Sequence, residues 1–170
     1  MSHDLILAGG GLANGLIAWR LKQIRPDLSV LCIEEQPKPC VNDTGSFRHG
    51  HLSAAQHRWI TPLIVKTWPS YHGHFPARSR RMNSGYASIT SERFAAVIEQ
   101  ALGADLRTGQ RIAKITPRSV VLENGETLEA AAVIDGRGVQ PSAHMVLGKQ
   151  AFLGQLLRLH APHGLTSPLI

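Results

Sequence analysis

The sequence predicts an α/β fold: a Rossmann-like dinucleotide-binding unit in which an antiparallel β-meander precedes the return of the chain to the main sheet. Three observations carry this. Asp4 to Leu21 reads as a strand, a glycine turn and a helix, with Gly9-Gly10-Gly11 following an apolar run directly. A second apolar run, Val30 to Ile33, ends in Glu34-Glu35, at the roughly 20-residue offset of a βαβ nucleotide site from its glycine turn. Short apolar runs around an Asn124-Gly125 hairpin turn then lead to Ala132-Val133-Ile134-Asp135-Gly136, where glycine lets the backbone approach a ligand at the carboxyl edge of the sheet.

Each element follows from its pattern. Leu5 to Ala8 is apolar on both alternating faces, as a buried parallel strand requires. From Leu12 onward, Ala13, Leu16, Ile17 and Leu21 recur at helical spacing. Pro37 to Ser46 is rich in turn-forming residues and predicts a surface loop. Ser53 caps a short helix over 54–60, which Thr61-Pro62 ends. Leu63-Ile64-Val65 and Tyr86 to Ile89 are expected as strands, with Arg78-Ser79-Arg80-Arg81 as a turn between them. Thr90 or Ser91 caps a helix whose Phe94, Val97, Ile98, Ala101 and Leu102 form one apolar stripe, stopped at Gly103. Strands are expected at 112–115, 120–122, 127–129 and 132–134.

Composition narrows the function classes. With 43% hydrophobic and 18% charged residues the chain is ordinary globular protein, without repeats. No run approaches the roughly 20 apolar residues of a spanning helix, so membrane contact is expected to be peripheral. The first residues carry Asp4 rather than a basic region, and Cys32 and Cys40 lack CxxC spacing; both favour a reduced, cytoplasmic protein. The formal charge is +6, with a cluster at Arg78 to Arg81. No aromatic interleaving accompanies those arginines, so a solvated loop is expected and no nucleic-acid partner. Thr166 to Ile170 reads as the start of an apolar strand, which suggests that residues 1–170 are the N-terminal part of a longer domain, incomplete at its C-terminus.

The candidate cofactor-binding residues are Gly9, Gly10, Gly11, Ala13, Asn14, Glu34, Asp135 and Gly136. The glycines permit a tight turn and close approach to a pyrophosphate, whose charge is met by helix amides and the positive end of the helix dipole. Asn14 stands where the general fingerprint has its third glycine. Glu34 is placed to accept hydrogen bonds from ribose hydroxyls. His49-Gly50-His51 and His72-Gly73-His74 would each put two imidazoles on one side of an extended segment, but without a third ligand at a fixed offset no metal site is expected. No G-x-S-x-G elbow supports acyl transfer.

Six segments together resemble the bacterial lycopene β-cyclases: 9–18, Gln56-His57-Arg58-Trp59-Ile60, Asn83-Ser84-Gly85-Tyr86, Ile89-Thr90-Ser91 with Arg93-Phe94, 133–138 and Gln150-Ala151-Phe152-Leu153-Gly154-Gln155. The resemblance runs through the chain and covers less than half of such an enzyme. It implies a flavoprotein of the glutathione-reductase-like superfamily that binds FAD, kept reduced by NAD(P)H. It also implies ring closure of lycopene through γ-carotene to β-carotene by redox-neutral acid-base chemistry, beside a membrane that dissolves the carotenes. Asn14, a defect in the general fingerprint, is what this family carries.

The departures lie at Cys40-Val41-Asn42-Asp43-Thr44-Gly45-Ser46-Phe47, where the family has Gly-Gly-Asn-His-Thr-Trp-Ser-Phe, and at Leu156, where Glu is usual. The family's catalytic glutamate lies in a later motif, so no residue here is assigned as the cyclising acid and the catalytic residues stay unknown. Another FAD-dependent oxidoreductase or monooxygenase of the same superfamily, and a non-catalytic remnant, are the alternatives. The isolated chain is expected to purify colourless and to aggregate, because a missing later strand would leave an apolar sheet edge.

Overall fold

The computed structural model describes residues 2–39, 45–140, 143–148, 151, 153–155 and 157–169. The departures at Cys40 to Thr44 and at Leu156, together with Gln150, Phe152 and Ile170, lie outside them.

The opening is a βαβ unit: β1 (His3–Ala8), the glycine turn, α1 (Leu12–Ile24) and β2 (Val30–Ile33). The middle of the chain supplies β3 (Gly45–Arg48), α2 (Ala54–Ile60), β4 (Lys66–Trp68), β5 (Tyr71–Phe75), β6 (Arg78–Met82), β7 (Tyr86–Ile89) and α3 (Ser91–Leu102). It then returns through β8 (Leu106–Arg107), β9 (Ile112–Thr116), β10 (Ser119–Leu122) and β11 (Thr127–Asp135). The main sheet has the order β8-β2-β1-β11-β10-β9. Its β8, β2, β1 and β11 are parallel neighbours, and β11, β10 and β9 pair antiparallel. A smaller antiparallel sheet, β3-β7-β4, and the β5–β6 hairpin lie apart from it in the pairing.

Alternation along the parallel strands builds two cores. Leu7, Val30 and Cys32 face Ala18 and Trp19 of α1 and Phe94, Ile98 and Leu102 of α3. Their neighbours Ile6, Leu31 and Ile33 face Val120, Leu122, Leu128 and Ala130. The helices therefore cover one face of the parallel strands and the antiparallel strands the other, so near-continuous apolar runs are required. Each Val, Leu, Ile or Phe among them contributes about 1.5–3 kcal/mol on full burial.

The helices α3 and α2 start as their sequences dictate. The Thr90 hydroxyl accepts from Arg93 N at 3.3 Å at the head of α3. Ser53 and Gln56 form a reciprocal capping box on α2.

The structure departs from the sequence reading at four places. Leu63-Ile64-Val65 is not a strand: Pro62 opens a further 3₁₀ turn, Thr61–Leu63, that buries Leu63 completely, and pairing starts only at Lys66. The arginine run is not a turn but β6, paired along β5 from Tyr71↔Met82 to Phe75↔Arg78. The strands expected at 127–129 and 132–134 are one strand, because Glu129 to Ala132 holds no turn residue; β11 changes partner from β10 to β1 along its length. Finally, His49–His51 is a 3₁₀ turn rather than an extended segment. His72 and His74 do lie on a strand, with ring centroids 6.0 Å apart, and His74 Nδ1 is 2.8 Å from Ser79 Oγ. Among the described residues no helix is long and apolar enough to cross a membrane.

Candidate functional site at the carboxyl edge of the parallel strands

The register of β1 with β2 and β11 pairs Ala8 with Ile33 and with Asp135, so Gly9, Glu34 and Gly136 emerge together at one edge. Two backbone bonds lock them: Gly9 N donates to Ile33 O at 2.7 Å, and Gly136 N to Ala8 O at 2.8 Å. Gly9 has φ +93°, and a Cβ there would stand 2.9 Å from Gly136 O, so only glycine fits. Gly11, the N-cap of α1, has open space in front of it, the nearest atom to an added Cβ being Gly136 O at 4.0 Å.

Asn14 fills the third slot of the fingerprint. Its side chain is almost fully buried, and Nδ2 donates to Ala8 O at 3.0 Å and Gly9 O at 2.9 Å. A Cβ on Gly136 would lie 2.5 Å from that Nδ2. Asn14 is therefore a clamp behind the turn that holds the end of β1 and packs against the Asp135-Gly136 segment. Ala13, beside it, is exposed in the first turn of α1.

The Glu34 carboxylate reaches across the turn. Oε2 accepts from Gly10 N at 2.6 Å, and Oε1 from Gln36 N at 2.7 Å. At the other side Arg137 grips Asp135 with two bonds, Nε to Oδ1 at 2.9 Å and an Nη to Oδ2 at 2.8 Å. These bonds hold the Asp135 carboxyl below the usual carboxylate range. Arg111 is bonded to Glu35. Together Gly9, Glu34, Arg111, Arg137 and Gln140 line a cleft of about 260 Å³. Behind the turn, burial and, to a lesser degree, the Glu34 charge push the Cys32 thiol up to about 12, which leaves it an inert core residue.

Of the sequence-nominated residues, Gly9, Gly10, Glu34, Asp135 and Gly136 gather at this edge, with Gly11 in front and Asn14 behind. Arg137 and Arg111 were not nominated. The spacing of Arg137 offered a signal, since an arginine two residues past an edge aspartate can fold back on it. Arg111 offered none, because it is brought to the cleft by backbone bonds between segments far apart in sequence, Gln110 N to Glu34 O at 2.9 Å and Gly109 N to Gln36 O at 3.0 Å. Three further motif segments, 56–60, 83–86 and 89–94, meet elsewhere: His49 N donates to Gly85 O at 2.8 Å, and the His57 ring nitrogen Nε2 lies 2.8 Å from His49 O. Trp59 stacks on Trp19 at 5.3 Å, and Arg93 Nε donates to Pro62 O at 2.8 Å, so these segments tie α2, α1 and α3 together.

The lycopene cyclase protein family model matches residues 4–170. The chain belongs to that family. It is 53% identical over 168 residues to the lycopene beta-cyclase of Pseudescherichia vulneris and 49% identical to that of Pantoea ananas, covering 99% of this chain and 44% of each relative. The lycopene beta-cyclase of Paracoccus sp. is 39% identical over 170 residues. The chain thus spans less than half the length of these relatives. Among solved structures it is similar to 2-methyl-3-hydroxypyridine-5-carboxylic acid oxygenase, with TM-score 0.61 and 18% identity over 78% of this chain and 38% of that one. It is also similar to p-nitrophenol 4-monooxygenase from Pseudomonas putida DLL-E4, with TM-score 0.59 and 14% identity over 79% and 40%. A putative FAD containing monooxygenase from Photorhabdus luminescens gives TM-score 0.54 at 11% identity over 81% of this chain and 40% of that one. These likenesses show a shared mixed α/β fold.

Proposed function

We propose that this chain forms the FAD-binding part of a lycopene beta-cyclase, the enzyme that converts lycopene through γ-carotene to β-carotene. The observation that carries the reading is the edge at which Gly9, Glu34 and Gly136 converge. The residues present fit the adenosine and pyrophosphate end of FAD. Gly9 keeps the turn free of side chains, and Gly11 leaves open space at the head of α1, where backbone amides suit a phosphate. Glu34 would exchange its bond to Gly10 N for the ribose hydroxyls. The cleft is smaller than the roughly 300–1,000 Å³ of a complete small-molecule site, so it takes one end of the cofactor. The β9–β10–β11 strands would be the flavoprotein meander, and the superfamily that of glutathione reductase.

Reduced FAD, regenerated by NAD(P)H, would supply the electron-rich environment in which a carbocation can form without net redox change. The residues of this chain hold and orient; none of them is proposed as the acid that protonates the terminal alkene. Lycopene and the cyclic carotenes dissolve in lipid, so the enzyme would work in peripheral contact with a membrane.

Competition binding tests the cofactor. FAD and ADP are expected to displace one another from the folded chain, while FMN, which lacks the adenosine end, does not compete. Glu34→Gln should weaken both by about tenfold, the scale of one charge-assisted hydrogen bond. A folded chain that binds neither FAD nor ADP overturns the reading. The substrate is tested with a chimera in which this chain replaces the matching segment of the Pantoea ananas lycopene beta-cyclase. Lycopene-accumulating cells expressing it should make β-carotene; unchanged lycopene beside a flavin-loaded chimera sinks the substrate assignment alone.

A further inference from the structure

The net charge of the chain comes from one stretch. Between Asp43 and Glu92 there is no Asp or Glu, while Arg48, Arg58, Lys66, Arg78, Arg80 and Arg81 fall there. The twelve Lys and Arg left over match the twelve Asp and Glu of the rest, so the whole formal +6 arises here. Five of the nine histidines share the stretch.

Half of these cations stand on the β5–β6 hairpin. Its register sets Phe75 opposite Arg78, Gly73 opposite Arg80 and His72 opposite Arg81. Residues directly opposite share a face, so Phe75, Arg78 and Arg80 lie on one side and Arg81 on the other. The apex, Phe75-Pro76-Ala77, carries no polar side chain, and Phe75 is 71% exposed. All three arginines are exposed, and Arg81 Nε donates to Ser70 Oγ at 3.2 Å. Among the described residues none of the three has an acidic partner. Pro76 is an ordinary turn residue, but Phe75 beside it is not, so an exposed aromatic apex above guanidinium groups that lack an acidic partner among the described residues calls for a partner that is apolar inside and anionic at its surface.

We propose that this hairpin docks the protein on a bilayer containing anionic phospholipid, with Phe75-Pro76-Ala77 entering the interface and Arg78, Arg80 and Arg81 pairing with lipid phosphates. Aromatic rings settle at headgroup depth, and guanidinium groups grip phosphate oxygens in pairs. Each basic residue near an anionic leaflet strengthens binding roughly fivefold. A nucleic acid would match the cations but not the apex. Stacking along a strand needs successive aromatic faces, and the hairpin offers only Phe75, since Tyr71 is buried and packs on Tyr86 at 5.3 Å. The inference rests on the peripheral membrane contact proposed above and adds the face that makes it.

Flotation of the 170-residue chain with phosphatidylcholine vesicles and with mixed phosphatidylcholine/phosphatidylglycerol vesicles, in which aggregated protein stays at the bottom of the gradient, tests it. Binding is expected only to the anionic vesicles and should weaken as salt rises. Replacing Arg78, Arg80 and Arg81 together by Gln should lower the apparent affinity about a hundredfold, and Phe75→Ser at least about tenfold. Both variants should keep the circular dichroism spectrum of the wild type. An environment-sensitive dye on Ala77→Cys, in a Cys40→Ser background, should shift to the blue when anionic vesicles are added. Unchanged binding in both variants without a dye shift overturns the hairpin assignment and leaves membrane contact standing. No vesicle binding by the folded wild type overturns both. Tighter capture by duplex DNA than by anionic vesicles, or dimerisation abolished by Phe75→Ser without vesicle binding, also overturns it. The ADP competition above reads the cofactor site independently of all these outcomes.

Discussion

At the scale of single residues, Asn14 shows how a broken motif can be a different solution. The general fingerprint uses a third glycine to bring helix and strand together. Here an amide occupies the slot and ties down two carbonyls, Ala8 O and Gly9 O, at the end of the strand. The glycine turn, Glu34 and Asp135-Gly136 were legible because each motif fixes a backbone requirement locally. The role of Asn14 was not, since it depends on Gly136, far away in the chain, lying 2.5–2.9 Å from the Asn14 amide at a would-be Cβ. Asn14→Ala removes both hydrogen bonds in a buried setting and should destabilise the fold by about 2 kcal/mol. Urea denaturation measures this, and because Asn14 acts behind the turn, ADP affinity should fall as well. A variant as stable as the wild type would reduce the clamp to a bystander.

At the scale of elements, the glycine that allows close packing is Gly15, one position beyond the fingerprint slot, and its neighbour is a helix rather than a strand. A Cβ on Gly15 would lie 2.6 Å from Phe94 Cζ and 2.7 Å from Cε1, and Phe94 is completely buried against α1. Gly15→Ala should therefore cost about 1–3 kcal/mol through overpacking, despite the better helix propensity of alanine. Phe94→Leu alone opens space and also destabilises. Combined, the two changes should recover about 1 kcal/mol of their summed cost in a double-mutant cycle by chemical denaturation; strict additivity would show that α1 and α3 do not meet there. The helices themselves were readable from period and caps. The β3-β7-β4 sheet was harder, because short strands pair with partners far along the chain. A proline that adds one 3₁₀ turn moved the start of β4 past the apolar Leu63-Ile64-Val65 run.

At the scale of the whole molecule, the candidate site is a seam between the first strands and the last. Asp135 is the last residue of β11 to pair with β1, and its carboxylate is held by Arg137, which lines the cleft. The hydrogen bonds from Arg137 set the Asp135 carboxyl below its unfolded value. A depressed carboxylate stabilises the fold above the ordinary carboxylate range, and that contribution is lost as pH falls through the lowered value. The Asp135 side chain is 40% exposed, so solvent screening keeps the neutral-pH effect to about 1 kcal/mol or less. Asp135→Asn should accordingly lower the urea midpoint modestly at neutral pH. Its midpoint should then fall less steeply than that of the wild type between about pH 5 and pH 2, so that the two curves converge in acid. Curves that stay parallel throughout would mean that the seam is held by its backbone bonds, Gly9 N to Ile33 O and Gly136 N to Ala8 O, with no contribution from the ion pair.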